Sequence, residues 1–436
     1  MKAMIGIRRE DKNQWERRVP LVPAHVKSLI EEDEIEVWVQ PSSIRVFTDD
    51  EYRAVGAKVH EDLSLCPVIF AVKEIPMYMF EPHKTYVFFS HTIKGQDYNM
   101  PMLKKMMSLK CNLIDYEKIT DDQGRRLIFF GKYAGLAGMV ETLWTLGKRL
   151  AWESIANPFE TVKHAYEYPT LADAKAAIAG VGAVIRDQGF DKKLAPFVIG
   201  FAGYGNVSQG AQEILEGLPV IEVRPDELAE VYARAKEDTH HVYKVVFYEH
   251  DLVEPKVAGV SFDLQDYYQH PEKYRSKFEP YVPYLTVLIN GIYWTEDYPR
   301  LLSKDFVREL YSDKETPTLR VVGDISCDIE GSIECTTHAT KPDKPAFVYN
   351  PFDGWSTDGY EGVGLVMMAV DNLPCELPRE SSTAFSEGLK PFVKAIATAD
   401  FSGPFEECNL PPEIRRAVIL YQGELTPDYK YMEAFL

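Results

Sequence analysis

Residues 195–208 read Ala195-Pro196-Phe197-Val198-Ile199-Gly200-Phe201-Ala202-Gly203-Tyr204-Gly205-Asn206-Val207-Ser208, and this stretch decides the fold. Its apolar first half predicts a buried strand, and residues 209–216 predict a helix directly after it. The Gly-x-Gly-x-x-small turn between them places backbone N–H groups and the positive helix end against a pyrophosphate. Glycine is required where the chain turns tightly and where a phosphate approaches the backbone. The turn therefore predicts dinucleotide-binding residues at Gly203, Gly205, Asn206, Val207 and Ser208.

This turn has a plainer interpretation, a tight β-α connection in some other α/β protein. A second strand-like run that ends about 20 residues later favours dinucleotide binding. The third position of the fingerprint holds Ser208 in place of glycine, with Gly210 two residues on. That departure is compatible with a looser approach of the helix to the strand.

Strand-like runs continue on the C-terminal side of the turn, at residues 220–223, 244–247, 285–290 and 319–324. Together with the strand before the turn they alternate with helical segments, which indicates a parallel sheet of the Rossmann type. We assign residues 191–344 to this dinucleotide-binding domain.

A similar rhythm of strands and helices opens the chain, with strand-like runs at residues 3–8, 35–40, 68–72, 86–89 and 112–116. Helices are expected at residues 23–32, 137–156 and 171–189, and a further helix at 360–371. The predicted fold class is therefore α/β, with two Rossmann-like doubly wound parallel-sheet domains and a cleft between them. The predicted substrate domain is discontinuous, 1–140 plus 345–436, and residues 141–190 are predicted to form inter-domain helices.

The composition of the chain is that of a globular protein: 436 residues, of which 45% are hydrophobic and 12% aromatic. The net charge of -19 argues against a nucleic-acid backbone or an anionic membrane as the main partner. The sequence contains neither a signal-peptide pattern nor a run of about 18 apolar residues, so we expect a cytoplasmic location. The six cysteines are scattered without a CxxC pair, and no metal site is expected.

Polar side chains follow three consecutive predicted strands of the first domain. Lys73 follows the run at 68–72, His91 and Lys94 follow the run at 86–89, and Glu117 follows the run at 112–116. Because open α/β sheets collect ligands at the carboxyl ends of their strands, this shared placement favours an acid-base site. The alternative for each residue alone is a solvated loop position.

Paired arginines form a second candidate cluster, Arg17 with Arg18 and Arg125 with Arg126, the latter pair before a predicted strand at 127–130. A guanidinium group binds a carboxylate through two parallel hydrogen bonds, so these pairs are candidate carboxylate sites in an acidic protein. Salt bridges to neighbouring Glu and Asp residues are the alternative.

The cofactor preference should be decided at the end of the strand at 220–223. A carboxylate there bonds an unphosphorylated ribose, whereas an arginine accommodates a 2'-phosphate. The sequence offers both groups, Glu222 and Arg224. We expect NADPH because Arg224 lies just beyond the strand; the alternative is that Arg224 is a solvated loop residue.

Several long stretches of the chain resemble the lysine-ketoglutarate reductase half of the bifunctional aminoadipic semialdehyde synthase of animals and plants. The matching stretches are residues 8–11, 15–20, 88–94, 203–208, 288–294 and 323–328. We take Asn290 and Asp324, which lie in the last two, as further cofactor-binding positions. A more distant similarity links the chain to lysine-forming saccharopine dehydrogenase and to alanine dehydrogenase.

The resemblance implies roles for individual residues. Lys73, in Lys73-Glu74-Ile75-Pro76, and His91, in a His-x-x-Lys segment that ends at Lys94, would be an acid-base pair. By the same match Arg18 and Arg126 would hold substrate carboxylates, Lys94 would lie in the substrate site, and Glu117 would tune the pair. The segment around Lys73 need not carry the following Glu in this family, so Glu74 is not included among the predicted site residues.

The implied reaction is the condensation of L-lysine with 2-oxoglutarate and reduction by NAD(P)H to saccharopine, in a cleft that closes against water. Since the chain stops at Leu436, we expect a monofunctional enzyme that passes saccharopine to a separate dehydrogenase, and a homo-oligomer is compatible with the sequence. The alternatives are an amino-acid dehydrogenase for another oxoacid or amine, of the alanine dehydrogenase type, and a non-catalytic dinucleotide-binding sensor.

Overall fold

The structure is a computed structural model in which residues 3–313 and 317–436 are described. The chain divides into two compact units, a first unit of Met1–Phe130 with Pro378–Leu436 and a second unit of Gly131–Leu377. In the described part of the chain no helix has the length and apolar character needed to cross a membrane. Across the same residues, no group of three or more His, Cys, Asp or Glu side chains is arranged to hold a metal ion.

The strands follow in chain order: β1 Met4–Ile7, β2 Glu36–Val39, β3 Lys58–Val59, β4 Val68–Phe70, β5 Thr85–Phe88, β6 Asn112–Asp115, β7 Phe197–Ala202, β8 Val220–Val223, β9 Val242–Phe247, β10 Val253–Pro255, β11 Tyr274–Ser276, β12 Val287–Asn290, β13 Val321–Asp324, β14 Ala346–Tyr349, β15 Ser356–Asp358, β16 Leu365–Met368, β17 Val418–Tyr421 and β18 Glu424–Leu425. The α-helices are α1 Pro23–Glu31, α2 Asp49–Ala54, α3 Met100–Ser108, α4 Gly131–Trp152, α5 Leu171–Gln188, α6 Asn206–Leu215, α7 Leu228–Arg234, α8 Glu249–Leu252, α9 Leu264–Gln269, α10 Lys304–Asp313, α11 Pro378–Thr398 and α12 Pro412–Arg415.

The sheet of the first unit has the order β18-β17-β6-β5-β4-β1-β2-β3. Strands β1 to β6 run parallel; at one edge β17 pairs antiparallel with β6, and β18 pairs antiparallel with β17. The register pairs Ile7 with Phe70, and Phe88 with Asp115, so these strands end almost level. The segments that follow β1, β4, β5 and β6 therefore leave the sheet at one edge, which confirms the prediction that Lys73, His91 and Glu117 share an edge.

The sheet of the second unit has the order β15-β14-β16-β13-β12-β7-β9-β8. The six strands from β16 to β8 are parallel, and β14 and β15 add an antiparallel edge. Strands β7, β12, β13, β14 and β16 are buried along their whole length, which is why they read as apolar runs in the sequence. All five strands predicted for this domain form, and the fold class α/β with two sheet-based domains is confirmed.

The sequence prediction for residues 345–377 differs from the structure. We expected a helix at 360–371 that belonged to the first domain, but the chain forms β16 there, between β13 and β14 of the second sheet. Gly359, Gly362 and Gly364 have φ of +108°, +112° and +140°, which a helix excludes. A helix cannot continue through these glycines into the apolar run Leu365–Met368. That run is short enough to be a buried strand.

The strand expected at 127–130 is also wrong. The structure has a single antiparallel bridge between Thr120 and Arg126 there, and β6 is instead flanked by β17 from the C-terminal part of the chain. The strand next to β6 at this edge therefore comes from a segment about three hundred residues later in the chain. No local sequence pattern can predict that pairing.

Helices α4 and α6 of the second unit touch backbone to backbone. A Cβ placed on Gly210 would lie 2.1 Å from the carbonyl oxygen of Lys132, and one on Gly135 would lie 1.9 Å from that of Val207. Gly210 and Gly135 therefore permit this close contact between the two helices, whereas the looser approach of α6 to the strand at Ser208 stays a prediction.

Replacing Gly210 by Ala should therefore lower the free energy of unfolding by about 1–3 kcal/mol or more, because the two helices must separate. Gly180→Ala in α5 is the matched control, since a Cβ there meets nothing within 4 Å. That control should be neutral or stabilising by about 0.5–1 kcal/mol. Chemical denaturation measures both values, and equal stabilities would contradict the packing described.

Candidate active site

The turn after β7 has the geometry that the fingerprint predicts. Gly203 has φ +92°, which a residue with a side chain rarely adopts, and Gly205 is the N-cap of α6. A Cβ on Gly205 would meet nothing within 4 Å, so the space in front of the helix end is open to a ligand. Asn206 and Val207 begin α6, and Ser208 is 1% exposed. These residues fit a pyrophosphate at the N-terminus of a ten-residue helix.

A buried polar pair lies at the ends of β12 and β13. Asn290 Nδ2 donates to Asp324 Oδ1 and to Ser332 Oγ, each at 2.8 Å, and Thr336 Oγ1 donates to Asp324 Oδ2 at 2.5 Å. Burial raises the pKa of Asp324 to about 6. The two predicted cofactor positions are therefore brought together at the same edge of the sheet as the glycine turn.

A cavity of about 920 Å³ opens next to the glycine turn, at the ends of β7, β8 and β9. Tyr204 and Tyr248 form one wall, with ring centroids 4.6 Å apart, and Glu222 and Arg224 also line it. Its volume is that of a site for a ligand of nucleotide size. The second unit thus offers a helix end for phosphates and an adjoining pocket for a nucleoside.

Glu222 and Arg224, which were predicted to determine the cofactor preference, both form ion pairs in this structure. Arg224 forms ion pairs with Asp226 at 3.1 Å and Glu227 at 2.9 Å, and Glu222 pairs with Lys244. Sequence analysis missed Lys244, which lines the same cavity. The signal was present, because a lysine inside an otherwise apolar strand needs a polar partner.

In the first unit, Glu10 fixes the segment that carries Lys73. Its Oε1 accepts a hydrogen bond from the N–H of Val72 at 2.7 Å and its Oε2 one from the N–H of Lys73 at 3.0 Å. Glu10 is 5% exposed, and burial, reinforced by the negative charge of Glu16, raises its pKa to about 7. Glu10 was not predicted as a site residue, although it lies in a quoted motif.

The pKa of Glu10 makes stability depend on pH. Because the pKa is raised from 4.5 to about 7 on folding, its contribution to stability is complete below pH 4.5 and is lost as the pH rises through 7. The slope from this one group is at most about 1.4 kcal/mol per pH unit. We expect Glu10→Gln to flatten the dependence of unfolding free energy on pH in this window, and the exposed Glu32→Gln to leave it as in the wild type. The same slope in all three proteins would contradict this assignment.

Lys73 has a lowered pKa. Burial is the largest cause, and the positive charge of Arg18 is the second. Among the described residues no hydrogen bond or ion pair involves its Nζ. A desolvated amine beside a fixed cation is the usual arrangement of a lysine that acts as a base near neutral pH.

His91 forms its closest polar contact with Glu74. His91 Nδ1 lies 2.6 Å from Glu74 Oε1, and Lys12 Nζ lies 3.0 Å from Glu74 Oε2. Burial alone would raise the pKa of Glu74, but the hydrogen bond and charge of His91 and the charge of Lys12 hold it well below its usual range. An ionised Glu74 accepts a hydrogen bond from Nδ1–H, which leaves Nε2 of His91 for proton exchange.

The backbone at His91 has φ +48°, and Asn99 Nδ2 donates to the carbonyl groups of Ser90 and His91 at 3.0 and 3.2 Å. Asp115 Oδ2 in turn accepts from the N–H of Ser90 at 2.9 Å. These hydrogen bonds fix the backbone of Ser90 and His91 and so hold His91 in its left-handed conformation. This conformation determines the direction of the imidazole ring. Positive φ in a residue with a side chain is a recurrent feature of functional sites.

Arg18 forms a buried ion pair with Glu16. Its Nε and Nη2 donate to the two carboxylate oxygens at 2.7 and 2.6 Å, and the guanidinium carbon lies 4.2 Å from the centroid of the Phe130 ring. Both side chains are almost fully buried. This edge of the guanidinium is engaged with the protein, and the carboxylate-binding role of Arg18 stays a prediction.

Of the other predicted residues of the first unit, Arg126 and Lys94 are exposed and Glu117 is half-buried. Arg126 Nη2 pairs with Glu117 Oε1, and the Arg126 side chain is 51% exposed. The N–H of Glu117 is held by Asp115 Oδ1 at 2.8 Å. The structure therefore links Glu74 and His91 directly, with Lys73 adjoining Glu74 in the chain, whereas Glu117 pairs with Arg126 and not with His91.

Two protein-family models match the chain, one in its N-terminal part and one in its C-terminal part. The model for the N-terminal domain of alanine dehydrogenase/PNT matches residues 6–137, and that for the C-terminal domain matches residues 218–428. The chain belongs to the alanine dehydrogenase/PNT family. The family resemblance expected from the sequence is thereby confirmed.

Three curated proteins show which kinds of protein the chain is similar to. The chain is 40% identical over 99% of its length to alpha-aminoadipic semialdehyde synthase of Arabidopsis thaliana and 39% identical over 99% to the mitochondrial protein of that name from Bos taurus. It spans 41% and 48% of those two proteins, less than half of each. It is also 26% identical to saccharopine dehydrogenase [NAD(+), L-lysine-forming] of Yarrowia lipolytica, over 90% of this chain and 92% of that protein.

Solved structures support the fold. An L-alanine dehydrogenase covers 99% of this chain and 99% of its own with a TM-score of 0.63 at 15% identity. A transhydrogenase from Sinorhizobium meliloti covers 97% of this chain and all of its own with a TM-score of 0.57, also at 15% identity. Among the curated relatives, saccharopine dehydrogenase [NAD(+), L-lysine-forming] is by name an NAD(+)-dependent dehydrogenase, which supports the prediction of an NAD(P)-dependent enzyme with a nicotinamide dinucleotide as cofactor.

Proposed function

We propose that the chain catalyses the condensation of L-lysine with 2-oxoglutarate and the reduction of the product to saccharopine with NAD(P)H. The observation that carries the proposal is the group formed by Lys73 and the Glu74–His91 pair, with 2.6 Å between Glu74 Oε1 and His91 Nδ1. Its chemistry suits the joining of an amine to a ketone, and the relatives named for lysine metabolism supply the substrates.

The reaction requires the protein to accept one proton from the substrates and to donate another to them. The neutral ε-amine of lysine attacks the ketone of 2-oxoglutarate and must lose a proton, and the carbinolamine must gain one to release water and form an imine. Lys73, with its lowered pKa, is suited to remove the first proton, and His91 Nε2 to deliver the second. Glu74 stabilises the protonated imidazole and holds its orientation. A bound NAD(P)H supplies the hydride that reduces the imine.

The carboxylates of the substrates require cationic partners in an acidic protein. We propose Arg18 and Arg126 for these, with Lys94 nearby, as the family resemblance implies. Because Arg126 is half exposed and paired with Glu117, a substrate carboxylate would exchange with that of Glu117. The exchange costs little, since an exposed ion pair contributes only about 0–1 kcal/mol.

We further propose NADPH as the preferred cofactor, with Arg224 on the 2'-phosphate. Arg224→Ala should then raise the KM for NADPH by about tenfold or more, because a charge-assisted contact is lost, and leave the KM for NADH nearly unchanged. Arg234→Ala, also exposed in the second unit, is the control. Equal effects on both cofactors would remove Arg224 from phosphate recognition.

The proposed reaction is tested by following NADPH oxidation with L-lysine plus 2-oxoglutarate, and then with L-ornithine or ammonia in place of lysine, and with pyruvate in place of 2-oxoglutarate. The proposal requires the lysine and 2-oxoglutarate pair to give the highest kcat/KM. Preference for ammonia and pyruvate would indicate the alanine dehydrogenase reaction instead.

A further inference from the structure

The loop at residues 91–95 follows β5 in the first unit and carries two residues of the proposed site, His91 and Lys94. The direction of the His91 imidazole depends on the backbone of this loop, which is left-handed at His91 and again at Gly95, with φ +67°. The loop turns back on itself through a hydrogen bond from the N–H of Gly95 to the carbonyl oxygen of Thr92 at 2.9 Å. The groups that hold its far end therefore help to determine where both side chains lie.

Two aromatic side chains near the end of the chain contact the far end of this loop. Tyr431 Oη donates a hydrogen bond to the carbonyl oxygen of Ile93 at 2.6 Å. The ring of Phe435 packs on Gly95, where a Cβ atom would lie 2.5 Å from Cγ of that ring. The two contacts fall on either side of Lys94, so they restrain the backbone before and after this residue.

The segment that presents these two rings is firmly attached to the first unit. It spans Pro427–Phe435, and the buried side chains of Tyr429 and Met432 anchor it. Tyr429 Oη donates a hydrogen bond to the carbonyl oxygen of Arg416 at 2.6 Å. The contacts on the loop therefore come from a fixed support.

Tyr431 and Phe435 themselves contribute little to the core of the unit. They are 51% and 44% exposed, so a smaller side chain at either position leaves no buried cavity. Partial burial and the negative charge of Glu117 raise the pKa of Tyr431, so its hydroxyl group keeps the proton that it donates to Ile93. A surface contact next to two site residues indicates a role in the site more than a role in stability.

We propose that Tyr431 and Phe435 are positioning residues of the active site, which hold the loop at 91–95 so that His91 and Lys94 keep their places. The proposal rests on the proposed function, because that function assigns proton transfer to His91 and substrate binding to the cations near it. A displacement of about 1 Å at a reacting group can cost on the order of a hundredfold in rate. A restraint on this loop therefore acts on turnover.

Tyr431→Phe removes the hydroxyl group alone and tests the hydrogen bond to Ile93. It should lower kcat about threefold to tenfold, the effect of one hydrogen bond, and leave the KM for NADPH nearly unchanged. The amide groups of residues 93–95 should exchange faster with solvent deuterium, while the midpoint of chemical denaturation stays close to that of the wild type. Tyr78→Phe, at a tyrosine of the same unit that is 79% exposed, is the matched control and should behave as the wild type.

Phe435→Ala removes the ring from Gly95 and should have the same effects on kcat, on amide exchange and on the denaturation midpoint. Phe435→Leu keeps an apolar contact with Gly95 and should restore most of kcat. The rise of activity with pH that is assigned to Lys73 should keep its position in these variants, because Lys73 lies on a different loop.

Turnover is measured with whichever amine and oxoacid the wild type uses, and amide exchange is measured without substrate. Failure of the proposed reaction then shows in the wild type, and failure of the positioning role shows in the comparison of variants. Wild-type kcat in both Tyr431→Phe and Phe435→Ala would overturn that role. A loss of kcat without faster exchange of residues 93–95 would also overturn it, as would a loss that is matched by a fall in the denaturation midpoint.

Discussion

Lys73→Met should lower kcat by roughly 10²- to 10⁴-fold, the range expected when a positioned acid or base is removed. Methionine keeps the length and the apolar stem of the side chain, so the buried position should stay filled. Since the native amine is desolvated and lies near the charge of Arg18, its removal relieves an electrostatic cost and should not destabilise the first unit.

The pH profile gives this prediction a second readout. In the wild type, activity should rise with pH as Lys73 becomes neutral, and this limb should lie below the ordinary lysine pKa of 10.5, because burial and the charge of Arg18 lower the pKa. The limb should disappear in Lys73→Met. The control is Lys27→Met, at an exposed lysine of α1, which should keep both kcat and the profile. Turnover close to that of the wild type in Lys73→Met would remove Lys73 from the mechanism.

His91→Asn should also lower kcat by roughly 10²- to 10⁴-fold, because Asn offers no group that exchanges a proton near neutral pH. Asn is the replacement of choice, since it tolerates the φ of +48° at this position. Its amide can still donate to Glu74, so that carboxylate keeps a partner. The main effect should fall on kcat and not on the KM for either substrate.

His83→Asn is the matched control for His91→Asn. His83 is exposed in the same unit and also has a positive φ, +62°. It should retain wild-type kcat, so that any loss in His91→Asn reflects chemistry and not the backbone. A similar loss in both variants would assign the effect to folding, and a normal kcat in His91→Asn would contradict the role of His91.

The strands and the glycine turn could be predicted because their signals are local. Buried parallel strands read as apolar runs, and a turn at φ +92° requires the glycine found at position 203. The sequence also contains a signal against a helix at 360–371, because glycines at 359, 362 and 364 precede the short run that forms β16. Leu and Met favour helices, but the glycines that precede this run exclude one.

The candidate site could be predicted by position but not by partner. The sequence places Lys73 and His91 at one sheet edge, since the register of parallel strands brings their ends level. It does not reveal that Glu74 holds His91, because this contact depends on how two loops fold over the edge. The arginines illustrate the same limit: Arg18 pairs with Glu16 and Arg126 with Glu117, the salt-bridge alternative that the sequence left open.

The proposed reaction is tested most directly by the fate of the hydride. The chain is incubated with L-lysine, 2-oxoglutarate and NADPH that carries deuterium at the transferable position of the nicotinamide, and the products are analysed by mass spectrometry and NMR. The proposal predicts saccharopine with one deuterium on the carbon that was the ketone of 2-oxoglutarate, and none of it in Lys73→Met at comparable times. Glutamate as the product, or oxidised cofactor without a new carbon–nitrogen bond to lysine, would contradict it.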